Sequence, residues 1–365
     1  MKKRGVDLTF LGLLTSLVLV GFIIFYSASL GLYAKEGITF SRTLFSQIFF
    51  GFIIGSTLLW ITSRTPLAFW QKYAIHVFVF CASVTMLVFI PGIGIEHGGA
   101  RRWLAVGSIS FQPAELLKIG SVILFASWLA VIKQKVQSIK LGLIPVLGLM
   151  SVVSGILLLQ KDTGTTMVIV ATLIGMYFLA GAKIKHVIFI ITVCLIGVYI
   201  LSLVHPYIQS RIDTYLHPDR DPQGESYQIQ QAFIAVGSGG LLGKGFGKSI
   251  QKFDFLPEPT GDSIFAIYSE EWGFVGSVVL LILFLLLTFR GFAIASKSQN
   301  LFTFYIVSGV VLLVISQSLI NISAMIGVLP LTGMPLIFVS KGGSALSIAL
   351  ASMGIVLSAS RSMKT

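Results

Sequence analysis

Residues 256–289 read LPEPTGDSIFAIYSEEWGFVGSVVLLILFLLLTF. The first half holds Glu258, Asp262, Glu270 and Glu271, four of the fourteen acidic residues in a chain of 365. The second half, from Val275 to Phe289, carries no charge at all. An apolar run of this length is long enough to cross a bilayer as a helix, for which about 20 residues suffice. The stretch therefore reads as a membrane-spanning helix with carboxylates gathered at its mouth.

The rest of the chain agrees. It is 55% hydrophobic and 11% charged, with a mean hydropathy of +0.92, far from soluble globular usage. Comparable apolar runs occur at 8–30, 44–62, 73–91, 114–132, 141–159, 165–182, 187–204, 264–289, 301–327 and 345–360. Lipid cannot satisfy an open backbone, so these runs are expected to be helices. The expected fold is all-α: a polytopic membrane protein of about ten spans forming one domain over residues 1–365. Its one large outer segment, 205–262, lies between the seventh and eighth spans and should form short helices on the membrane surface. The run from Leu8 to Leu30 exceeds the 7–15 residues of a signal-peptide core, so a retained first helix is expected.

Orientation follows from the short loops. With the N-terminus inside, fourteen Lys and Arg, among them Lys2, Lys3, Arg4, Lys133, Lys135, Lys140, Arg290 and Lys297, lie on the inner side. The short outer loops hold six: Lys35, Arg42, Arg101, Arg102, Lys161 and Lys341. The positive-inside rule then puts both termini in the cytoplasm. Asp7 is the single inner acid, so the chemistry is expected to face outward.

Several function classes drop out. The net charge of +12 is scattered between apolar runs without a basic stripe, which argues for lipid headgroups and against nucleic acid. Cys81 and Cys194 both sit in apolar runs, and no CxxC, HxxxH or HExxH spacing marks a zinc site. The glycine run AVGSGGLLGKGFGKS (235–249) fails as a phosphate loop, because GxxxxGK[ST] would need glycine where Leu242 stands. It reads either as turn chemistry or as a basic rim on which Lys244 and Lys248 meet an anionic headgroup.

HGGARRWLAVGSISFQPAELLKIG (97–120) is more specific. Pro113 and Glu115 suit the first turn of a helix, and Lys118 lies three residues on, near the same face. Either Glu115 and Lys118 form a structural pair, or Arg101, Arg102 and Lys118 together hold a phosphate-bearing lipid. Lys161-Asp162 reads as a structural pair at an outer helix junction. Asp262 reads as the N-cap of the helix that starts at Ser263, or as a catalytic carboxylate. Glu270, about 12 Å deeper, and Glu271 face other neighbours, so these carboxylates do not flank one bond as in a glycosidase.

These stretches together resemble the SEDS family, which includes the cell-division protein FtsW, the rod-shape protein RodA and the sporulation protein SpoVE. NISAMIGVLPLTGMPLIFVSKGGSALS (321–347) is similar to the family's terminal signature of Asn, then G-x-x-P-x-x-G-x-P, then S-x-G-G-S. ARRW with QPAELLK, and YQIQQAFIAVGSGGLLGKGFGKS with LPEPTGDSIFAIYSEEWG, resemble its other blocks. RDPQGESYQIQQ (220–231) and GKSIQKFDFLPE (247–258) look more like FtsW than RodA. Two departures stand out: Lys341 replaces a usual aromatic or small residue, and Thr260-Gly261-Asp262-Ser263 replaces HTDF while keeping the aspartate.

The resemblance implies a peptidoglycan glycosyltransferase of the bacterial cytoplasmic membrane that polymerises lipid II on its outer face, for division or shape. It implies Asp262 as general base, with Arg101, Arg102, Glu115, Lys118, Lys244, Lys248 and Ser344 at the substrate. Charge developing on pyrophosphate calls for those cations or a divalent metal, Mg or Mn, and no organic cofactor. The implied partners are a class B penicillin-binding transpeptidase and other division or elongation membrane proteins. A lipid II flippase and a non-enzymatic scaffold are the competing functions. A flippase needs polar groups at mid-membrane and on both faces, which the one-sided acids do not provide.

Overall fold

The computed structural model describes residues 5–35, 37–97, 100–106, 109–220 and 226–362. The chain is a multi-pass, almost wholly helical membrane protein. Its helices are α1 (Leu8–Lys35), α2 (Gly37–Ser46), α3 (Gly55–Arg64), α4 (Leu67–Lys72), α5 (Ala74–Met86), α6 (Ala114–Ile132) and α7 (Ile144–Leu159). They continue with α8 (Thr163–Leu179), α9 (Ile184–Val204), α10 (Pro206–Leu216), α11 (Tyr227–Ser238), α12 (Ile264–Ser296), α13 (Leu301–Met325) and α14 (Gly343–Ser360).

Among the described residues, eight helices are long and apolar enough to span a membrane, and Ala74–Phe89 and Thr163–Leu179 are shorter apolar helices. These ten elements coincide with the ten apolar runs. α2 and α3 form one span, joined by a π-helical stretch at Gln47–Ile54. α7 and α8 stay separate across Gln160-Lys161-Asp162 because Asp162 caps α8, its carboxylate accepting from Thr165 N at 3.1 Å. Lys161 has φ +58 there.

Small residues set the tightest packing, as expected where lipid tails offer no hydrophobic drive between helices. A β-carbon at Gly51 or Gly55 would come within 2.8 Å of Leu346 or Leu350 on α14. Thr62 Oγ1 then donates across that interface to Ala351 O at 2.8 Å. α13 and α14 lie at the centre, whereas α9 leaves nearly all of its surface to lipid.

One feature departs from the all-helical expectation. Between α5 and α6 the chain forms a three-stranded antiparallel sheet, β1 (Gly94–His97), β2 (Ala100–Val106) and β3 (Ile109–Phe111). In 205–262, α10 and α11 are the expected short helices.

Contacts fix the two ends of the bundle. At one end Asp7 caps α1 through Phe10 N (2.8 Å), receives Arg290 from α12 in a bidentate pair (2.6 and 3.1 Å) and donates its own N–H to Ser360 Oγ (3.0 Å). At the other end lie the sheet, α10, α11, the glycine run and Asp262.

Candidate active site

The glycine run is packed, not flexible, and α12 explains why. At Gly273 the helix breaks, with φ 65 and ψ −164, a backbone only glycine adopts freely. The intrahelical bonds from Phe274 and Val275 to the carbonyls of Glu270 and Glu271 are replaced. Phe274 N and Val275 N donate to Gly240 O (2.9 Å) and Leu241 O (3.1 Å), while Lys244 N and Gly245 N donate to Glu270 O (3.0 Å) and Glu271 O (2.9 Å). Segment 240–245 is thus spliced into the helix. A β-carbon at Gly243 would fall 2.1 Å from Glu271 O, so the glycine serves close approach.

The side chains of Glu270 and Glu271 fasten the same segment. Glu270, fully buried, accepts from Lys244 Nζ (2.7 Å), Ile250 N (3.2 Å), Gln251 N (3.2 Å) and Ser249 Oγ. Glu271 accepts from Lys252 Nζ (2.7 Å) and from Ser27 Oγ on α1 (2.6 Å). Lys252 is itself fully buried. These two carboxylates are scaffold, and Lys244 is engaged by one of them; Lys248 remains exposed on the loop.

Asp262 is different. The expectation that it caps α12 is corrected: Ser263 occupies the N-cap position, without a side-chain capping bond, and the helix begins at Ile264. Asp262 therefore sits one residue too early, and its carboxylate is drawn sideways. Oδ1 accepts from Gln228 Nε2 on α11 at 3.2 Å. Oδ2 faces Gly333 beside Arg211 of α10: a β-carbon on residue 333 would lie 3.9 Å from Oδ2 and 3.8 Å from Arg211 Nη2. Gly333 has φ +66. Arg211 also donates to Leu331 O and lies over the Tyr207 ring, 4.7 Å from its centroid.

Burial pushes the Asp262 carboxyl up to about 6, and the nearby Glu258 carboxylate adds to this, against opposing pulls from Gln228 and Arg211. A half-buried acid that is ionised at neutral pH yet still basic is suited to taking a proton.

The other expected site residues are dispersed. Arg101 pairs with Glu96 at 3.0 Å on the surface of the sheet. Arg102, next to it on β2 and so on the other face, reaches the carbonyls of Gln160 (3.5 Å) and Lys161. At Lys161-Asp162 the aspartate caps α8 and the Lys161 carbonyl accepts from Arg102. Lys118 is buried at 2% exposure, with Glu115 Oε2 at 2.7 Å and Gln317 Oε1 at 2.5 Å. Arg101, Arg102 and Lys118 thus each engage different protein partners. Ser344 lies half-buried in the first turn of α14. The adjoining signature is clasped by Gln47, which donates to Ser340 O (3.2 Å) and accepts from Gly342 N (3.0 Å), and by Thr260 O, which accepts from Lys341 N (2.7 Å).

Arg211, Gln228 and Asn321 are site residues that the sequence did not single out. Arg211 and Gln228 lie among many polar residues of 205–231 with no local pattern to mark them; Asn321 opens the terminal signature, but nothing local says what its amide holds.

Comparison with known proteins bears on this geometry. Residues 7–365 match the family described as cell cycle protein, FtsW/RodA/SpoVE. The chain is 38% identical over 362 residues to stage V sporulation protein E of Bacillus subtilis (strain 168), covering 99% of this chain and 98% of that one. It is 35% identical over 363 residues to the probable peptidoglycan glycosyltransferase FtsW of Thiomicrospira cyclica, covering 97% and 91%. A chain from the structure of a peptidoglycan synthase complex that coordinates polymerization and crosslinking superposes with a TM-score of 0.75 at 27% identity, covering 98% of both. Thermus thermophilus rod shape determining protein RodA superposes with a TM-score of 0.70 at 26% identity, covering 99% and 98%. With nearly every residue matched, the chain belongs to the FtsW/RodA/SpoVE family.

Proposed function

We propose that this protein is a peptidoglycan glycosyltransferase that polymerises lipid II, with Asp262 as general base. The observation that carries the reading is Asp262 itself. It is a carboxylate raised to about 6, set at the foot of a spanning helix among Arg211, Gln228 and Gly333, in a chain of this family.

The Asp262 carboxylate takes the proton of the acceptor's GlcNAc 4-hydroxyl as that oxygen attacks the anomeric carbon of the donor sugar. The new C–O bond forms on the face opposite the leaving group. The bond from the anomeric carbon to pyrophosphate breaks, and undecaprenyl pyrophosphate leaves with the electron pair. An α-linked donor thus gives a β-1,4 product. Gln228 orients Oδ1, and Arg211, whose guanidinium lies beside the carboxylate, supplies positive charge where pyrophosphate charge develops. Lys248 is the exposed cation of the glycine loop, placed to meet a headgroup.

A resident divalent cation does not fit the donors: no group of three or more His, Cys, Asp or Glu side chains gathers among the described residues. Mg²⁺ commonly binds through one or two carboxylates plus substrate phosphates, so Mg or Mn would be held chiefly by the substrate's own pyrophosphate.

The charge asymmetry of the loops supports a bacterial cytoplasmic-membrane location with both termini inside and the Asp262 end outside. By analogy with a synthase complex that joins polymerization to crosslinking, the proposed partner is a class B penicillin-binding transpeptidase. The test is purified full-length protein with labelled lipid II, alone and with such a partner. Glycan strands are the expected product. Lipid II carried across vesicle membranes without polymer would establish the flippase function instead, and neither activity would leave the scaffold.

A further inference from the structure

α13 carries two amides that the reaction above does not use. Gln317 and Asn321 lie one turn apart on one face of the helix, buried at 0% and 1% exposure. Gln317 Oε1 accepts from Lys118 Nζ (2.5 Å), and its Nε2 donates to Pro335 O (3.0 Å). Asn321 Nδ2 donates to Met334 O (2.7 Å) and to the backbone carbonyl of Asp262 (2.8 Å). A continuous polar chain therefore runs from the buried Glu115–Lys118 pair to the aspartate. It passes through residues 334–335, next to the Gly333 that faces Asp262 Oδ2.

We propose that Gln317 and Asn321 are positioning residues for Asp262. Together they clamp segment 333–335 between the Glu115–Lys118 pair and the aspartate's own carbonyl, and the clamp sets how well the Asp262 carboxylate is shielded from water. The inference rests on the reading of Asp262 as general base.

Two observations separate the clamp from ordinary core packing. The donor groups of both amides go to the site segment or to Asp262, never to their own helix. Ser318, in the same turn, does the opposite and bonds Val314 O at 2.8 Å. In addition, Glu115 Oε1 and Asn321 Oδ1 are buried without a hydrogen-bond partner among the described residues. Unsatisfied buried oxygens are uncommon in native interiors and call for a reason other than stability.

Because Glu115 already compensates the charge of Lys118, the chain transmits position more than charge. Loss of the Gln317 amide leaves Pro335 O without its donor, so the segment relaxes and water reaches Asp262. A better-solvated carboxylate is more acidic and a weaker base.

The experiment compares Gln317→Met with Gln317→Glu, which keeps an oxygen for Lys118 but has no N–H for Pro335. In glycan synthesis from lipid II by the full chain with its transpeptidase partner, both should move the acid limb of the pH–rate profile down by about one unit. Both should also lower kcat about tenfold while KM changes less than about twofold. Ser318→Ala should leave the limb where it is. A second readout needs no turnover: the rise in Tm produced by Asp262→Asn at pH 7 should shrink in either Gln317 background. If neither variant folds, Asn321→Ser, which keeps one donor, gives the same two readouts. A parental acid limb together with an undiminished Tm rise in folded variants would overturn the clamp. Absence of glycan synthesis by the parent would instead overturn the general-base reading, and the Tm comparison would still decide the clamp.

Discussion

Glu270 and Glu271 are surrounded by Lys244, Lys252, Ser27, Ser249 and backbone N–H groups. Asp262, at the foot of the same helix, faces one side-chain amide, a neighbouring carboxylate and an arginine shared with a backbone carbonyl. All three acids come from one short block of sequence. The first two are fixed by cations, hydroxyls and backbone donors, and they hold the spliced glycine segment in α12. The third is buried, with another carboxylate nearby, so its proton affinity is raised. A carboxylate used for structure is satisfied, whereas one used for proton transfer is held near its tipping point.

The largest expected effect lies on the Asp262 side of that contrast. Asp262→Asn should lower glycan synthesis by about 10²-fold or more, the scale of a lost general base, while the protein still folds. Stability should move the other way. The folded carboxyl holds its proton up to about 6 and the unfolded one only to 3.8, so ionisation penalises the fold, increasingly across that window and fully above it. Asp262→Asn should therefore raise Tm at pH 7 and leave it unchanged below pH 4. A drop in Tm at pH 7 would mean that the carboxylate stabilises the fold after all.

The Glu271 side should respond through folding. Lys252→Met strands a buried carboxylate, a defect that costs about 3–5 kcal/mol, and should appear as poor recovery of folded protein. Adding Glu271→Gln should restore much of that loss, because the double change removes both charges. Failure of the double variant to recover would show that Lys252 has a task beyond neutralising Glu271.

Glu258→Gln sharpens the comparison from the small end. Glu258 is exposed and raises the Asp262 pKa through its charge. Its loss should shift the acid limb of activity slightly downward and change kcat by less than about threefold, as for a weakly coupled surface charge. A loss as large as that of Asp262→Asn would make the two carboxylates joint catalysts.

Much of this was legible before the structure. The ten apolar runs coincide with apolar helices, eight of them long enough to span, because hydropathy is a local property and lipid leaves the backbone no other choice. Asp262 stood out as a polar residue at a span mouth, and the terminal signature at 321–347 brought the family with it. The sheet at 94–111 was present as two short alternating runs around Gly107-Ser108 but was overshadowed by the helical signal on either side. The splice at Gly273 depends on a backbone-to-backbone approach across some thirty residues, which no local pattern encodes. The same holds for the Gln317–Asn321 clamp: a glutamine and an asparagine four apart on an apolar helix predict a buried polar face but not what it grips. The capping reading of Asp262 failed by a single residue, since Ser263 took the position and α11 supplied a competing donor in Gln228.

The central claim is that Asp262 acts as the base and the deeper glutamates do not. Its most direct test is the pH dependence of lipid II polymerisation by purified full-length protein with its transpeptidase partner. The rate should rise with pH, reach half its plateau near the aspartate's value of about 6 and stay flat to neutral pH, and Asp262→Asn should abolish that limb along with the activity. A limb that persists in Asp262→Asn at near-parental rate would contradict the account and move the proton transfer to another group.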